Sequence, residues 1–311
     1  MTEPPSPHAM TEPPSTKPPS EGDPLFIPDG DALIPTRIAA SAWGPDVLHG
    51  GPVAALVARA AELALPRNIR AEGALQPSRI TVDLFRAVPR APLTTEVEFI
   101  RQGRRVMVAR VSVLADGLEV TRGQVLFLRR TEGPTTKPIA APAGMDGLKT
   151  ENGLNRGAPL AHALDTDAPA AQPDDGFKSA SFTGGYHHLV ESRWPQPPGL
   201  APGSIVWVHV QFPIVQGEET TPFQRVAAVS DFGNALANHA AHWDDPQQRM
   251  NASYINTDIS VHLLRPPQGE WLCLVADRST HLDGVGLVEV SHFDHLGHYA
   301  RATQARLANS K

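Results

Sequence analysis

One pattern occurs twice in this chain, and that duplication limits the folds open to it. Ile80–Arg86 (ITVDLFR) lies against Ile259–Arg265 (ISVHLLR) at an offset of 179 residues, with Pro89 and Pro267 soon after the two arginines. Ala55–Leu56 meets Ala235–Leu236, and Gln124 meets Gln304, both at an offset of 180. Three landmarks at nearly one spacing mark an internal repeat.

Each copy reads as a strand, one apolar helix, and then a run of antiparallel strands. In the first, a strand near Ala32–Ala42 precedes His49-Gly50-Gly51-Pro52 and the run VAALVARAAELAL. Pro52 suits the first turn of a helix, where a missing N–H costs nothing. Val53, Leu56, Val57, Ala60 and Ala64 recur at helical spacing, and Arg59 and Glu62 are the only charges, so this helix should be largely buried. Strands follow at Ile80–Phe85, Leu93–Arg101, Arg104–Ala115 and Leu118–Arg130, with Asp116–Gly117 a type I′ hairpin turn. The second copy predicts a strand at Ile205–Phe212 and a helix at Asp231–Trp243, capped by Ser230 or Asp231. Its strands fall at Asp258–Leu264, Trp271–Ser279, Gly284–Phe293 and Tyr299–Leu307, with Asp283–Gly284 as a second hairpin turn.

Between and before the copies the composition changes. Residues 1–23 are Pro-, Ser- and Glu-rich, carry MTEPPS twice, and cannot bury enough apolar surface to offset the entropy of ordering. Residues 132–176, rich in Ala, Pro, Gly and Asp, read as a linker between a unit at 24–131 and a unit at 177–311. The net charge of −6, with no basic stripe, argues against a nucleic-acid partner. No apolar run is long enough to cross a membrane, and no signal-peptide pattern opens the chain, so it reads as cytoplasmic. The single cysteine, Cys273, excludes an internal disulfide and sits in an apolar run that suits a buried, inert thiol. His239 and His242 share a helical face but lack a well-spaced third ligand, so no metal is expected. His292, His295 and His298 bracket a turn and are expected to be solvated. No phosphate loop, serine elbow or dinucleotide glycine fingerprint occurs.

A His-Gly-Gly-Pro turn into a buried Ala-rich helix, followed by a short strand and Arg-x-x-Pro, resembles a hotdog domain. Two such units in one chain, with Ser230-Asp231-Phe232-Gly233-Asn234 before the second helix, Arg265–Pro266 after a strand and a closing Ala302-Thr303-Gln304, resemble the bacterial acyl-CoA thioesterase II group. The resemblance covers about residues 30–308. It implies an α+β tandem hotdog, each unit an antiparallel sheet wrapped around one long helix. It also implies hydrolysis of acyl-CoA without a cofactor, no stable membrane insertion, and leaves homo-oligomerisation open.

The group's catalytic set is an Asp at the helix start, a Thr-like polar residue upstream of Arg-Pro, and the Gln of the last strand. These fall on Asp231, Asn256 and Gln304. Asn256 stands where the group has Thr, and Thr257 is the neighbour that a one-residue slip would turn inward instead. The chemistry needs a water activated by a carboxylate, polar groups to hold it in line, and N–H donors for the oxyanion. Gly51, with Gly50, offers such donors at a helix N-terminus. His49, Gly50, Thr257 and Arg265 are the substrate-binding candidates, although His49 could merely cap its loop and Arg265 could merely anchor a sheet end. The first copy has Gly51-Pro52-Val53 and Pro77 where the second has Asp231 and Asn256, and keeps only the glutamine, as Gln124. One working site per chain follows. The competing readings are an acyl-CoA-binding protein without turnover and an enoyl-CoA hydratase. The hydratase needs an Asp and a His together, and the sequence places no histidine near enough to Asp231.

Overall fold

The computed structural model describes residues 23–132, 184–196, 201–245 and 254–309. Nearly all of the expected N-terminal tail and of the expected linker lies outside these residues. The elements run β1 (Phe26–Asp29), β2 (Ala32–Pro35), a 3-10 turn (Arg37–Ala39), β3 (Ala40–Ser41), β4 (Gly44–Leu48), α1 (Gly50–Ala64), α2 (Arg67–Glu72), β5 (Leu75–Asp83), β6 (Leu93–Gln102), β7 (Val106–Ala115) and β8 (Leu118–Arg129). The second half continues with α3 (Tyr186–Leu189), β9 (Glu191–Arg193), β10 (Ile205–His209), α4 (Pro222–Ser230), α5 (Gly233–Ala241), β11 (Tyr254–Asn256), β12 (Asp258–Leu263), β13 (Trp271–Leu282), β14 (Val285–Asp294) and β15 (Gly297–Ala308).

The repeat is visible in the sheet. Its strand order is β1-β2-β6-β7-β8-β5-β12-β15-β14-β13-β10-β9, so each half reads outward from a central pair in the same sequence. That pair, β5 and β12, joins the halves antiparallel, with Ile80 opposite Val261 and Val82 opposite Ile259. Both anticipated hairpins have the left-handed backbone of type I′ turns, at Asp116–Gly117 (φ 51° and 75°) and Asp283–Gly284 (φ 49° and 81°). α1 packs on β5 to β8, and α5 packs on β13 to β15, so each half wraps its sheet around a helix as the resemblance implies. α1 is buried from Gly51 through Ala61 except at Arg59, since its small residues let it lie between its own sheet and α4. No helix among the described residues is long and apolar enough to cross a membrane.

Three expectations need correction. The second helix does not begin at Asp231. A separate helix, α4, precedes it, capped by the Thr221 hydroxyl on the Gln224 N–H and with Pro222 in its first turn. Asp231 and Phe232 form the break between α4 and α5, and Phe232 gives α5 no side-chain cap. The glutamine match is also out of step. Thr81 pairs with Gln124 and Ser260 pairs with Thr303, so the strands keep the 179 offset throughout. Gln304 therefore corresponds to buried Val125, and Gln124 lies on the opposite face. Finally, His292 is buried rather than solvated, and burial pushes its imidazole down to about 3. Cys273 is buried as expected, with its thiol pushed up by burial.

Candidate active site

The α4–α5 break points Asp231 across the seam between the halves, at the N-terminus of α1. His49 is the N-cap of α1, and its Nδ1 lies 2.8 Å from Asp231 Oδ2. Asn256, on β11, donates from Nδ2 to Asp231 Oδ1 at 2.5 Å. The Gly50 N–H donates to the same carboxylate. Both partners of the ion pair are nearly enclosed, with side chains 11% (His49) and 8% (Asp231) exposed.

Burial pushes the Asp231 carboxyl up, but His49, Asn256 and Gly50 together hold it below the usual carboxylate range. The α1 dipole favours an anion at this end as well. The Gly51 N–H also points at His49 Nδ1, 3.1 Å away. One ring nitrogen cannot both accept from an N–H and donate to a carboxylate. The charge-assisted contact to Asp231 is shorter and stronger, which places the proton on Nδ1.

The close approach explains both glycines. A Cβ on Gly50 would sit 2.7 Å from the Asp231 carboxyl atoms. One on Gly51 would sit 2.2 Å from the Ala228 carbonyl oxygen and 2.9 Å from the Tyr186 ring.

Gln304 is buried on β15 and lays its amide nitrogen 3.3 Å from the Ser230 carbonyl and 3.4 Å from that of Asp231. It thereby ties the sheet to the helix break. Its Oε1 is buried with no hydrogen-bond partner among the described residues. Asp231, Asn256, Gly50, Gly51, His49 and Gln304 thus converge. Thr257 and Arg265 do not. Thr257 is exposed and turns its hydroxyl toward the Ala305 carbonyl. Arg265 pairs with Asp294 through two contacts of 2.6 and 2.7 Å and also donates to the Gly297 carbonyl. That is the sheet-anchoring role.

Tyr186 was not anticipated. It is fully buried, donates to the Ala228 carbonyl at 3.1 Å, and packs its ring 5.2 Å from His49 and 5.5 Å from Phe232. Burial and the nearby Asp231 charge raise its phenol well above the ordinary value, so it stays neutral. Arg306 was also missed. It is buried on the same face of β15 as Gln304 and bonds Asn234 and Ser279 over the Tyr254 ring, with no acidic partner among the described residues. A chain position two residues from Gln304 on one strand is the signal that could have found it. No cluster of three His, Cys, Asp or Glu side chains able to hold a metal occurs among the described residues. His239 instead stacks on Trp194, with ring centroids 4.5 Å apart.

Comparison with known proteins agrees with this architecture. A hotdog-fold protein from Alicyclobacillus acidocaldarius superposes with a TM-score of 0.59 at 15% identity, covering 92% of this chain and 96% of its own. A TesB protein from Mycobacterium avium subs. paratuberculosis gives 0.57 at 16% identity, covering 92% and 96%. An acyl-CoA thioesterase II from Mycobacterium marinum gives 0.55 at 17% identity, covering 85% and 90%. No curated protein matches the sequence. Two family models divide the chain between them: the acyl-CoA thioesterase N-terminal domain at residues 39–128 and the acyl-CoA thioesterase C-terminal domain at residues 164–307. The chain belongs to the acyl-CoA thioesterase family in its double-hotdog form, and is a hydrolase of acyl-CoA thioesters.

Proposed function

We propose that hydrolysis takes place at the seam, at one composite site per chain. Asp231 supplies the negative charge that activates the attacking water. Asn256 and Gln304 act as positioning residues, the first on the carboxylate and the second on the backbone that carries it. As the water oxygen bonds to the thioester carbon, charge builds on the carbonyl oxygen, and the Gly51 N–H at the start of α1, freed from the protonated Nδ1 of His49, receives it. Collapse breaks the carbon–sulfur bond and releases CoA and the free acid. The acyl chain would lie between helix and sheet, and the reaction needs no cofactor.

One observation carries this reading: a buried carboxylate kept ionised by donors from both halves of the chain. Because one chain completes the site, a second copy is not required for turnover, whatever the oligomeric state. The reading suits a cytoplasmic enzyme working on free acyl-CoA.

The His49–Asp231 pair also brings together the two residue types that hydration of enoyl-CoA needs. Thiol release from saturated acyl-CoAs, run beside loss of enoyl absorbance, decides between them. The thioesterase reading expects CoA release that Asp231→Asn abolishes, with circular dichroism and acyl-CoA binding unchanged. An Asp231→Asn protein with full turnover would sink it.

A further inference from the structure

Asp231 is the natural choice for the group that takes the proton from water, yet its geometry fits that task poorly. A carboxylate has about four acceptor positions, and here three are engaged, by His49, Asn256 and Gly50. Each of those donors stabilises the anion and so weakens it as a base.

His49 has the complementary arrangement. Its Nδ1 faces the buried carboxylate at 2.8 Å, which fixes the tautomer with the proton on Nδ1 and leaves a lone pair on Nε2. Nε2 has no partner among the described residues and is not among the buried unpartnered atoms, so it stays open to a water. The ring is held in place by Tyr186 and Phe232, each 5.2 Å away, and stacks at 6.2 Å on His187. The titratable groups around it are therefore Asp231 from the α4–α5 break and Tyr186 and His187 from α3. Removal of a proton by a ring nitrogen whose far side is oriented by a buried carboxylate is the logic of His–Asp pairs in hydrolases generally.

We infer that His49 is the general base of the hydrolysis, with Asp231 as the charged residue that orients it. This rests on the seam-site reading above. His49 Nε2 takes one proton from the water as the water oxygen bonds to the thioester carbon. The imidazolium so formed is stabilised by Asp231. The tetrahedral intermediate then collapses, the carbon–sulfur bond breaks, and the imidazolium returns its proton to the departing sulfur. Water and thioester go in, acid and thiol come out, and the pair is restored.

His49→Asn separates this role from a structural one. Its amide can still donate to Asp231 from near the Nδ1 position, but nothing replaces Nε2. The expected result is a fall in kcat of about 10²- to 10⁴-fold, with the affinity for a non-hydrolysable acyl-CoA thioether within two-fold of the parent. In His49→Ala, added imidazole should restore part of the turnover, and the acid limb of the parent's kcat/KM profile should be absent without it. Near-parental kcat in His49→Asn with an unchanged pH profile, while Asp231→Asn is inactive, overturns the role of His49 and leaves the seam site standing. Full activity in Asp231→Asn removes both.

Discussion

The two ends of the α1–α4 pair each bury a carboxylate against the N-terminus of the opposing helix, and the two carboxylates are driven in opposite directions. At one end Asp231 meets the start of α1. At the other, Glu62 of α1 meets the start of α4, where Oε2 accepts from Thr221 Oγ1 at 2.8 Å and from Gln224 Nε2 at 2.9 Å. Burial raises Glu62, and its two neutral donors do not offset this, so its carboxyl titrates above the ordinary value. Burial raises Asp231 as well, but there the His49 imidazole and two further donors reverse the sign. Burial at a helix N-terminus is thus not enough to hold an anion. The nature of the donors decides, and only the Asp231 end has an imidazole among them.

The sharpest test of this contrast is paired neutralisation. Asp231→Asn should cut kcat by about 10³-fold or more, within the range general acid–base machinery contributes. Glu62→Gln keeps a carbonyl acceptor for Thr221 and Gln224 and should leave kcat within two-fold. Steady-state thiol release measures both. Equal losses would mean that the two ends act as one structural clamp and that Asp231 has no special part in the chemistry.

How far the sequence carried this can be judged residue by residue. The duplication, both type I′ hairpins and the buried α1 were legible, because each rests on local chemistry: periodicity, Asp-Gly pairs, a run of small apolar residues. Strand alternation allowed only one of Asn256 and Thr257 to face Asp231, and the count back from Arg265–Pro266 in the family's motif favoured Asn256, which is the one that does. α4 was missed although Thr221-Pro222 carries an ordinary helix-start signal. The His49–Asp231 pair could not be read locally, since 182 residues separate its members and only the joining of two half-sheets brings them together.

The glutamines show how a repeat can mislead. Their offset of 180 looks as good as 179, but in a strand one residue is the difference between two faces. Gln304→Ala should therefore lower kcat by roughly ten-fold, by loosening the break that aims Asp231. Gln124→Ala, on the outer face of the other half, should leave it unchanged. A loss of similar size in both would restore the symmetric site that the strand register denies.

Gly51→Ala tests the packing that lets the ends differ. Its Cβ would fall 2.2 Å from the Ala228 carbonyl, a backbone atom that cannot move alone. α1 and α4 must then separate, at a cost of about 1–3 kcal/mol typical of overpacking. Urea unfolding should show the loss, and turnover should fall with it because the Asp231 end opens. Full stability would mean that α1 and α4 admit the added methyl without separating.

The smallest effect expected is in the pH dependence of stability, and it has opposite signs at the two ends. Asp231 is depressed below 3.8 in the folded chain, so the anion is the form that folding favours. Its contribution is present above the unfolded value and is lost as pH falls through the lower folded one. Glu62 is raised above 4.5, so folding favours its protonated form. Its contribution is present below 4.5 and is lost as pH rises through the folded value. Glu62→Gln cannot ionise, so it should gain on the parent as pH rises from 4 to 7. Asp231→Asn should fall behind the parent as pH rises from 3 to 5. Urea midpoints for the three proteins across that range give the two slopes. Slopes of the same sign would mean that the donors at the Glu62 end hold its charge as well as His49 holds that of Asp231, and the contrast between the ends would be lost.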